Sequence, residues 1–305
     1  MTPGKYAFID QHRDAEPGWN LATLCAVLGV CRSGFYGWRT RRGGEPGPMQ
    51  ARRERLCKLI RKLFDNFRGR YGAPRIHRAL LKLGEVCDRK TVAALMRSMS
   101  LVAKGKRRFR HRTTDSNHDQ PIAPNLLQRD FAAAAPNRKW VTDLTYVPTD
   151  EGWLYLVAVI DLFSRKVVGY AQADHMRAEV CVEALENAAR ERAGGRKKFR
   201  GRGLILHSDR GVQFASAEFR AACRKHGITQ SMSGKGDCYD NAVAESFFGT
   251  LKTEQLHGQH FATRNQAKLE IFAFIEGFYN PQRMHSTLDY LSPDQFEQQH
   301  QTQAA

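Results

Sequence analysis

The sequence predicts an α/β fold, in which a larger α/β domain follows small all-α segments. Up to about residue 103 the apolar residues recur at helical spacing, and from Trp140 short β-rich runs alternate with helical patterns. A length of 305 residues is enough for two or three domains with separate cores. The predicted divisions are helical segments at 1–48 and 49–103, a linker at 104–135, the body at 136–297 and a disordered tail at 298–305.

The first segment is predicted to hold a helix, a short turn and a second helix. An apolar stripe on the first helix consists of Leu21, Leu24, Cys25 and Leu28. Gly29 ends this helix, and Ser33 is placed to cap the next one. The arrangement is typical of helix-turn-helix DNA-binding units, with an ordinary helical hairpin as the alternative.

The second segment repeats this pattern. Pro74 begins a helix that ends before Gly84, and Asp88 can cap the helix that follows. Arg89 and Lys90 fall in the first turn of that helix, where helix-turn-helix proteins contact a DNA groove. We therefore predict that both residues contact DNA, again with a plain hairpin as the alternative.

Positive charge is concentrated before the body. Residues 1–135 hold 27 Lys and Arg against 11 Asp and Glu, a net +16, while residues 136–305 hold 21 against 20. Lys and Arg neutralise phosphates, so this asymmetry indicates that the N-terminal part binds nucleic acid. Within the predicted linker, the basic run Lys104–Arg112 is either a strap that tracks DNA or a solvated connection.

The body is predicted to follow the order βββαβαβα. The tight turn Asp161–Arg165 makes the second and third strands antiparallel, and the later strand-helix-strand unit implies a right-handed parallel crossover. The predicted elements are strands Val141–Val147, Trp153–Ile160 and Lys166–Ala173, helix Glu179–Arg192, strand Leu204–Leu206, helix Ser216–Lys225 ended by Gly227, strand Ile228–Met232 and a helix containing Glu245.

Three acidic residues occupy informative places in this order. Asp143 lies on the first strand, Asp209 follows the fourth, and Glu245 lies 36 positions later on the last helix. Asn241 and Lys252 lie one turn before and two turns after Glu245 on the same helical face. Clustered carboxylates bind the divalent ions that drive phosphoryl transfer. We predict that the three acids are catalytic and bind metal, and that Asn241 and Lys252 contact DNA.

The motifs around these acids resemble the DDE integrase core of bacterial insertion-sequence transposases, most closely the larger product (OrfB) of the IS3 family. One departure is Gly234, where a basic residue is expected, and it affects a DNA contact rather than the chemistry. The similar pieces are Trp140–Asp143, Ala158–Arg165, His207–Gly211, Asp240–Glu245 and Tyr279–His285, and upstream Leu28–Tyr36 and Arg70–Ile76.

The resemblance implies a ribonuclease-H-like mixed five-stranded sheet with flanking helices, in which the first three strands are antiparallel and the last two are added in parallel. It implies a transposase that cleaves DNA at element ends with metal-activated water and joins the freed 3′-hydroxyl to another phosphodiester. The implied cofactors are two Mg²⁺ or Mn²⁺ ions. The implied partners are double-stranded DNA, further copies of the chain and a smaller upstream product (OrfA), at the nucleoid in the cytoplasm. The start of the chain resembles the larger product alone, so a DNA-reading and multimerising arm is expected on OrfA.

Several other polar residues each have two candidate roles. Asp161 is the rival acid, but Asp is favoured structurally at a tight turn. His207 either orients the loop after its strand or packs at the strand end. Gln213, near a helix start, is a candidate DNA contact. The resemblance places Arg283 and His285 at the DNA or the rim of the site, with a surface-loop role as the alternative.

Other classes of protein find no support in the sequence. Seven cysteines occur without a Cys-x-x-Cys pair, which argues against a zinc site or a disulfide framework and fits a reducing cytoplasm. Neither a signal-peptide pattern nor an apolar run of about 18 residues is present. Two alternatives to a transposase stay open: a ribonuclease-H-class metal nuclease without strand transfer, and a DNA-binding regulator with an inactive core.

Overall fold

The computed structural model describes residues 2–43, 47–105, 119–195, 198–234 and 241–304. Contacts divide the chain into a unit that ends at Val102 and a unit that begins at Ala103. Most of the predicted basic run lies outside the described residues, as does Asp240 of the last acidic motif. No single described helix is long and apolar enough to cross a membrane, although α2 (Leu21–Val27) and Arg32–Thr40 meet that test jointly across a 108° bend.

The N-terminal unit opens with three helices around a small core. These are α1 (Thr2–His12), α2 and α3 (Arg32–Gly43), and Ile9, Leu24, Cys25 and Phe35 are buried between them. The helix α1 was not predicted, because its apolar residues do not line one face.

The cap predicted at Ser33 is wrong. The helix α3 already begins at Arg32, which places Ser33 inside its first turn. The side chain that caps this turn is Cys31, whose Sγ accepts a hydrogen bond from the Gly34 N–H at 3.3 Å. Ser33 instead donates its hydroxyl to the same sulfur at 3.5 Å.

Three further helices complete this unit: α4 (Pro48–Asn66), α5 (Ala73–Lys82) and α6 (Arg89–Ser98). The predicted cap of α6 is confirmed, since the Asp88 side chain accepts from the Thr91 N–H at 2.9 Å. The helix α4, absent from the prediction, contacts both α5 and α6. Arg89 and Lys90 are exposed in the first turn of α6, as predicted.

The second unit is built on one mixed sheet of five strands. They are β1 (Lys139–Thr149), β2 (Gly152–Asp161), β3 (Val167–Ala173), β4 (Ile205–Ser208) and β5 (Thr229–Met232), in the spatial order β3-β2-β1-β4-β5. The first three pair antiparallel, whereas β1–β4 and β4–β5 pair parallel. This topology confirms the predicted fold class and makes β1 the central strand.

Helices cover this sheet. They are α7 (Ala178–Ala193), α8 (Val212–Ala215), α9 (Ala217–His226), α10 (Ala242–Leu251), α11 (Arg264–Phe274) and α12 (Pro293–Ala304). One buried core joins α7 and α9 to the sheet through Trp140, Val157, Leu185 and Phe219, among others. The helices α10 and α11 contact β1 and continue directly into π-helical stretches, Lys252–Leu256 and Ile275–Tyr279.

Two predicted irregular segments are ordered. The polar tail is helical through Ala304, because buried Glu297 of α12 pairs with Arg192 at 2.6 Å and so fixes the helix on the core. The second half of the predicted linker packs beside β5. Leu127 is buried, and the Leu126 N–H donates to Ser231 Oγ at 2.9 Å.

Candidate active site

The first two acids are brought side by side by the parallel pairing of β1 with β4. Val141 and His207 are partners in that ladder. Asp143 and Asp209 each lie two residues beyond that pair, so two adjacent strands carry them to the same level of the sheet. The Asp143 Oδ1 accepts from the Leu144 N–H at 2.8 Å, and the Asp209 Oδ1 accepts from the Gly211 N–H at 3.0 Å.

The third acid arrives on a helix fastened to the same strand. Glu245 is exposed in the first turn of α10, which contacts β1. Asn241 immediately precedes this helix and donates its Nδ2–H to the Thr142 carbonyl at 3.1 Å. Thr142 is the neighbour of Asp143, so this bond connects the start of the Glu245 helix to the strand that carries the first acid.

The three carboxylates repel one another. Burial raises the pKa of Asp143 well above its ordinary range, and the charges of Asp209 and Glu245 raise it further, against the opposing effects of the Leu144 N–H and Lys252. Burial and the charge of Asp209 likewise raise the pKa of Glu245. Such repulsion is what a divalent cation relieves, so the donor set fits a hard metal ion.

In the described structure, the side chains of Asp143, Asp209 and Glu245 do not converge to metal-coordination distances. Within the ranges that the structure describes, no three His, Cys, Asp or Glu side chains converge closely enough to hold a metal ion. The two findings agree physically, since like charges influence each other over distances longer than a coordination bond. The protein scaffold therefore supplies the carboxylates, and a cation would have to draw them in.

Lys252 lies at the C-terminal end of the helix that carries Glu245. It directly follows α10, and its Nζ is 5.3 Å from the centre of the Tyr146 ring. Burial lowers the pKa of Lys252, and the charge of Asp143 opposes this effect. A half-buried ammonium thus lies within the electrostatic influence of the Asp143 carboxylate.

Two predicted DNA contacts are buried in the structure. Asn241 is 4% exposed, and its amide is directed at Thr142, so it anchors α10 instead of reaching DNA. Arg283 is 6% exposed and makes a two-pronged ion pair with Glu254, with Nε–Oε2 at 2.9 Å and Nη2–Oε1 at 2.6 Å. These two predictions are wrong because both side chains are committed to packing.

Gln213 and His285 remain predicted DNA contacts. Gln213 is partly exposed on α8, directly after the loop of Asp209. His285 is partly exposed, with its Nε2 3.4 Å from Arg283 Nη1 and its ring edge-on to Tyr279. Both therefore lie at a surface that a ligand can reach.

The rival acid has a structural role. Asp161 is fully buried and accepts hydrogen bonds from the N–H groups of Asn137 and Phe163, the indole of Trp140 and the guanidinium of Arg192. These donors leave it as a packing acid at the turn, the interpretation that the sequence favoured.

His207 lies buried between two serines of the neighbouring strand and its extension. Its ring nitrogens are 2.8 Å from Ser231 Oγ and 3.2 Å from Ser233 Oγ. The packing role is therefore clear. Because His207 stands two residues before Asp209, the same contacts also fix the end of β4 from which the Asp209 loop departs.

No sequence pattern singled out Tyr146. It follows Asp143 by three residues on β1, and its ring also meets Trp153 edge-on with centroids 4.6 Å apart. The available signal was its position three residues after Asp143. In that part of β1 the described pairing is with β2, since the pairing with β4 ends at Val141. An aromatic residue in a β-rich run is ordinary, so only the structure shows its contact with Lys252.

Comparison with known families places two kinds of domain on this chain. Models described as an integrase core domain match residues 133–238 and 245–300. A model described as an HTH-like domain matches residues 51–109. The first two cover β1 through β5 and most of α10 through α12, and the third covers most of α4 together with α5 and α6.

Similar proteins cover nearly the whole chain. The transposase InsF for insertion sequence IS3A of Escherichia coli (strain K12) is 43% identical over 293 residues, which is 96% of this chain and 98% of that protein. The InsF transposase for IS3fB of the same strain is 42% identical over 97% of this chain and 99% of its own length. The insertion element IS600 uncharacterized 31 kDa protein of Shigella sonnei is 42% identical over 92% of this chain and 100% of its own length.

Solved structures show weaker likeness. A simian T-cell lymphotropic virus intasome, in complex with PP2A regulatory subunit B56 gamma, matches at 18% identity with a TM-score of 0.44, over 72% of this chain and 69% of that chain. The HTLV-2 integrase catalytic core domain in complex with magnesium matches at 18% identity with a TM-score of 0.40, over 54% of this chain and 99% of that chain.

Proposed function

The chain belongs to the IS3 family of insertion-sequence transposases, enzymes with an integrase core, and from that premise we propose that it cleaves DNA at element ends and joins the freed 3′-hydroxyl to a second phosphodiester. One observation carries this proposal. Asp143, Asp209 and Glu245 come from three separate elements, and the charges of Asp209 and Glu245 raise the pKa of Asp143. Three mutually repelling carboxylates on an integrase core suit metal-dependent phosphoryl transfer.

The three carboxylates would hold two Mg²⁺ or Mn²⁺ ions, which supply Lewis acidity at the attacking and leaving oxygens when bound. Asp143 offers oxygens from within β1 and Asp209 from just beyond the end of the adjacent β4, and Glu245 closes the set from α10. Lys252 contacts a backbone phosphate near the scissile bond. Its role is to position DNA, since its ammonium cannot bind a metal.

Other residues in each unit are also proposed to contact DNA. Gln213 and His285 flank the site, and Arg89 and Lys90 are exposed at the start of α6, inside the part of the chain that matches an HTH-like domain. Double-stranded DNA is the proposed substrate at both element ends and target. The chain is proposed to work at the bacterial nucleoid as several copies, together with the smaller upstream product of the element.

The test is joining of oligonucleotides with free 3′ ends in Mg²⁺. Asp143→Asn, Asp209→Asn and Glu245→Gln each remove one metal-binding charge at nearly constant shape, and each should abolish joining while DNA binding survives. Because the three act as a unit, each single loss should nearly equal the triple loss. Asp174→Asn and Glu218→Gln, at exposed acids outside the site, are the matched controls.

The same assay decides between the remaining functions. Metal-dependent nicking without joining would indicate a ribonuclease-H-class nuclease. DNA binding with neither reaction would indicate a regulator with an inactive core. Joining at a near-normal rate by any one of the three acid variants would refute the assignment of the site.

A further inference from the structure

The side chain of Lys252 is held by an aromatic pair on the β1–β2 hairpin. Its Nζ lies 5.3 Å from the centre of the Tyr146 ring. The Trp153 ring meets the same tyrosine edge-on, with planes at 77° and centroids 4.6 Å apart. Tyr146 and Trp153 lie on strands that are joined in register, with Trp153 opposite Pro148. We call Tyr146 and Trp153 the aromatic pair.

An ammonium over an aromatic face is attracted to the negative face of the ring, and the attraction grows when water is excluded. Lys252 is half-buried, and the charge of Asp143 acts on its ammonium. The ammonium is therefore in contact with the Tyr146 ring and within the electrostatic influence of Asp143. A lysine has four rotatable bonds, so without such a contact its charge would be spread over many positions.

The contact leaves the function of the lysine available. A cation–π contact does not engage all three N–H donors of the ammonium, so at least one of them can still reach a phosphate. The ring also avoids the alternative outcome, in which Lys252 swings onto the Asp143 carboxylate and neutralises a metal ligand. The Tyr146 ring thus keeps the Lys252 ammonium, proposed to bind DNA, apart from the carboxylates that are proposed to bind metal.

We propose that Tyr146 is a positioning residue whose ring, backed by Trp153, holds the Lys252 ammonium beside the catalytic acids for contact with a DNA backbone phosphate. The inference rests on the proposed function, in which Lys252 binds that phosphate. It assigns to Tyr146 an effect that exists only through Lys252, and this separates it from an ordinary packing role.

The experiment is a double-mutant cycle on DNA binding by the full chain. The probe is a duplex ending in the DNA that flanks the gene, titrated in chelator at several salt concentrations so that no cleavage occurs. Each phosphate contact contributes about 0.9 to the slope of log K against log salt. We expect Lys252→Ala and Tyr146→Leu each to reduce the slope by about 1, and the double variant to reduce it no further than Lys252→Ala alone.

Two further variants test the ring itself. Tyr146→Phe keeps the ring and should retain most of the wild-type slope. Tyr170→Leu is the matched control, because Tyr170 lies on β3 and its hydroxyl is hydrogen-bonded to Glu276. Its slope should equal that of the wild type. If Tyr146→Leu does not fold, Trp153→Leu replaces it, since Trp153 is 48% exposed and its loss should lower the slope in the same direction.

The outcomes separate this inference from its premise. A wild-type slope for Lys252→Ala would remove the DNA role of Lys252 and the inference with it, while leaving the acid triad untested by this measurement. A lowered slope for Lys252→Ala with a wild-type slope for Tyr146→Leu would overturn only the inference. A further loss in the double variant would also overturn it, because Tyr146 would then act independently of Lys252.

Discussion

Asp143 carries a charge that the folded chain opposes. Its pKa is raised first by burial and then by the charges of Asp209 and Glu245. A carboxyl group whose folded pKa is raised stabilises the protein below its unfolded pKa of about 3.9 and loses that contribution as pH rises through the folded pKa. The metal-free site is therefore a source of instability at neutral and alkaline pH.

This strain predicts a variant that is inactive yet more stable. Asp143→Asn removes the half-buried charge, so in chelator at pH 8 it should unfold at a higher temperature than the wild type. Each kcal/mol gained corresponds to about 2–4 °C for a domain of this size. The gap should narrow as pH falls toward 4, and Mg²⁺ should raise the Tm of the wild type much more than that of the variant. Scanning calorimetry measures all three, and equal Tm values at pH 8 would contradict the prediction.

A substitution at Lys252 should change DNA binding and joining but leave the affinity for metal ions unchanged. Lys252→Ala is expected to weaken binding to element-end DNA and to slow joining, while the affinity for Mn²⁺ stays about unchanged. Lys252→Arg should keep much of the activity, because a phosphate contact needs charge and reach more than one geometry. Lys198→Ala, at an exposed lysine, is the control. A wild-type joining rate for Lys252→Ala at moderate salt would make Lys252 a solvated charge only.

At the scale of elements, β3 and α7 touch through a glycine. A Cβ on Gly169 would lie 2.6 Å from the Ala184 carbonyl oxygen and would also collide with the Ala188 backbone nitrogen. Backbone atoms of a helix cannot move aside as a flexible side chain can. The outer strand of the sheet therefore depends on the absence of a side chain at this position.

Gly169→Ala should destabilise the second unit by about 3 kcal/mol, the upper end of overpacking costs. Denaturant titration measures the change. Gly277→Ala is the control, because nothing lies within 4 Å of a Cβ there and the backbone φ is not positive. Equal midpoints for the two variants would show that α7 can shift away from β3 without cost.

The last helix is joined to the core by a buried ion pair. Arg192 donates to Glu297 at 2.6 and 2.8 Å and to Asp161 at 3.1 Å. Burial alone would raise the pKa of Glu297, but hydrogen bonds and charge from Arg192 lower it overall. A carboxyl with a lowered folded pKa stabilises the protein above its unfolded pKa of about 4.3 and loses this contribution as pH falls further.

Removing one partner of that pair should be costly. Glu297→Ala leaves Arg192 buried beside fewer counter-charges and should reduce the free energy of unfolding by about 3–5 kcal/mol. The loss should be present at pH 7 and shrink below about pH 4, where Glu297 is protonated in the wild type as well. Glu218→Ala, at an exposed acid, should change stability little. An equal loss of unfolding free energy in Glu297→Ala and Glu218→Ala would show that the buried ion pair does not stabilise the protein.

At the scale of the whole chain, the basic part should carry most of the nonspecific DNA affinity. Residues 1–118 hold 26 Lys and Arg against 9 Asp and Glu, whereas residues 119–305 hold 22 of each. Dividing the chain there keeps Leu127 with the core on which it packs. The fragment 119–305 should bind duplex DNA more weakly than the full chain and with a much smaller salt slope. Equal affinities and slopes would contradict this division of labour.

The sequence predicted what local pattern controls. The order of strands and helices along the second unit, the caps at Asp88 and Gly227 and the positions of Asp143, Asp209 and Glu245 follow from periodicity and motif placement, whereas the mixed five-stranded sheet was implied by the family resemblance. It failed where a role depends on distant partners. Arg283 looked like a DNA contact because the sequence does not show that Glu254 lies beside it.

The prediction of a disordered C-terminal tail was wrong for the same reason. A polar run from residue 298 to 305 suggests disorder, but its helix is fixed by Glu297 against Arg192, about a hundred residues away along the chain. The anchoring role of Asn241 likewise depends on its hydrogen bond to the distant Thr142 carbonyl, which the sequence does not show. Long-range pairing is what a single sequence conceals most.

The spread of the three proposed catalytic acids along the chain also governs when the proposed reactivity would appear during synthesis. Asp143 leaves the ribosome 102 residues before Glu245, and Arg192 waits for Glu297 still longer. A chain interrupted by a premature stop before α10 contains two acids and cannot assemble the third. Incomplete translation products should therefore be harmless to the chromosome of the host, and DNA breakage becomes available only to a nearly finished polypeptide.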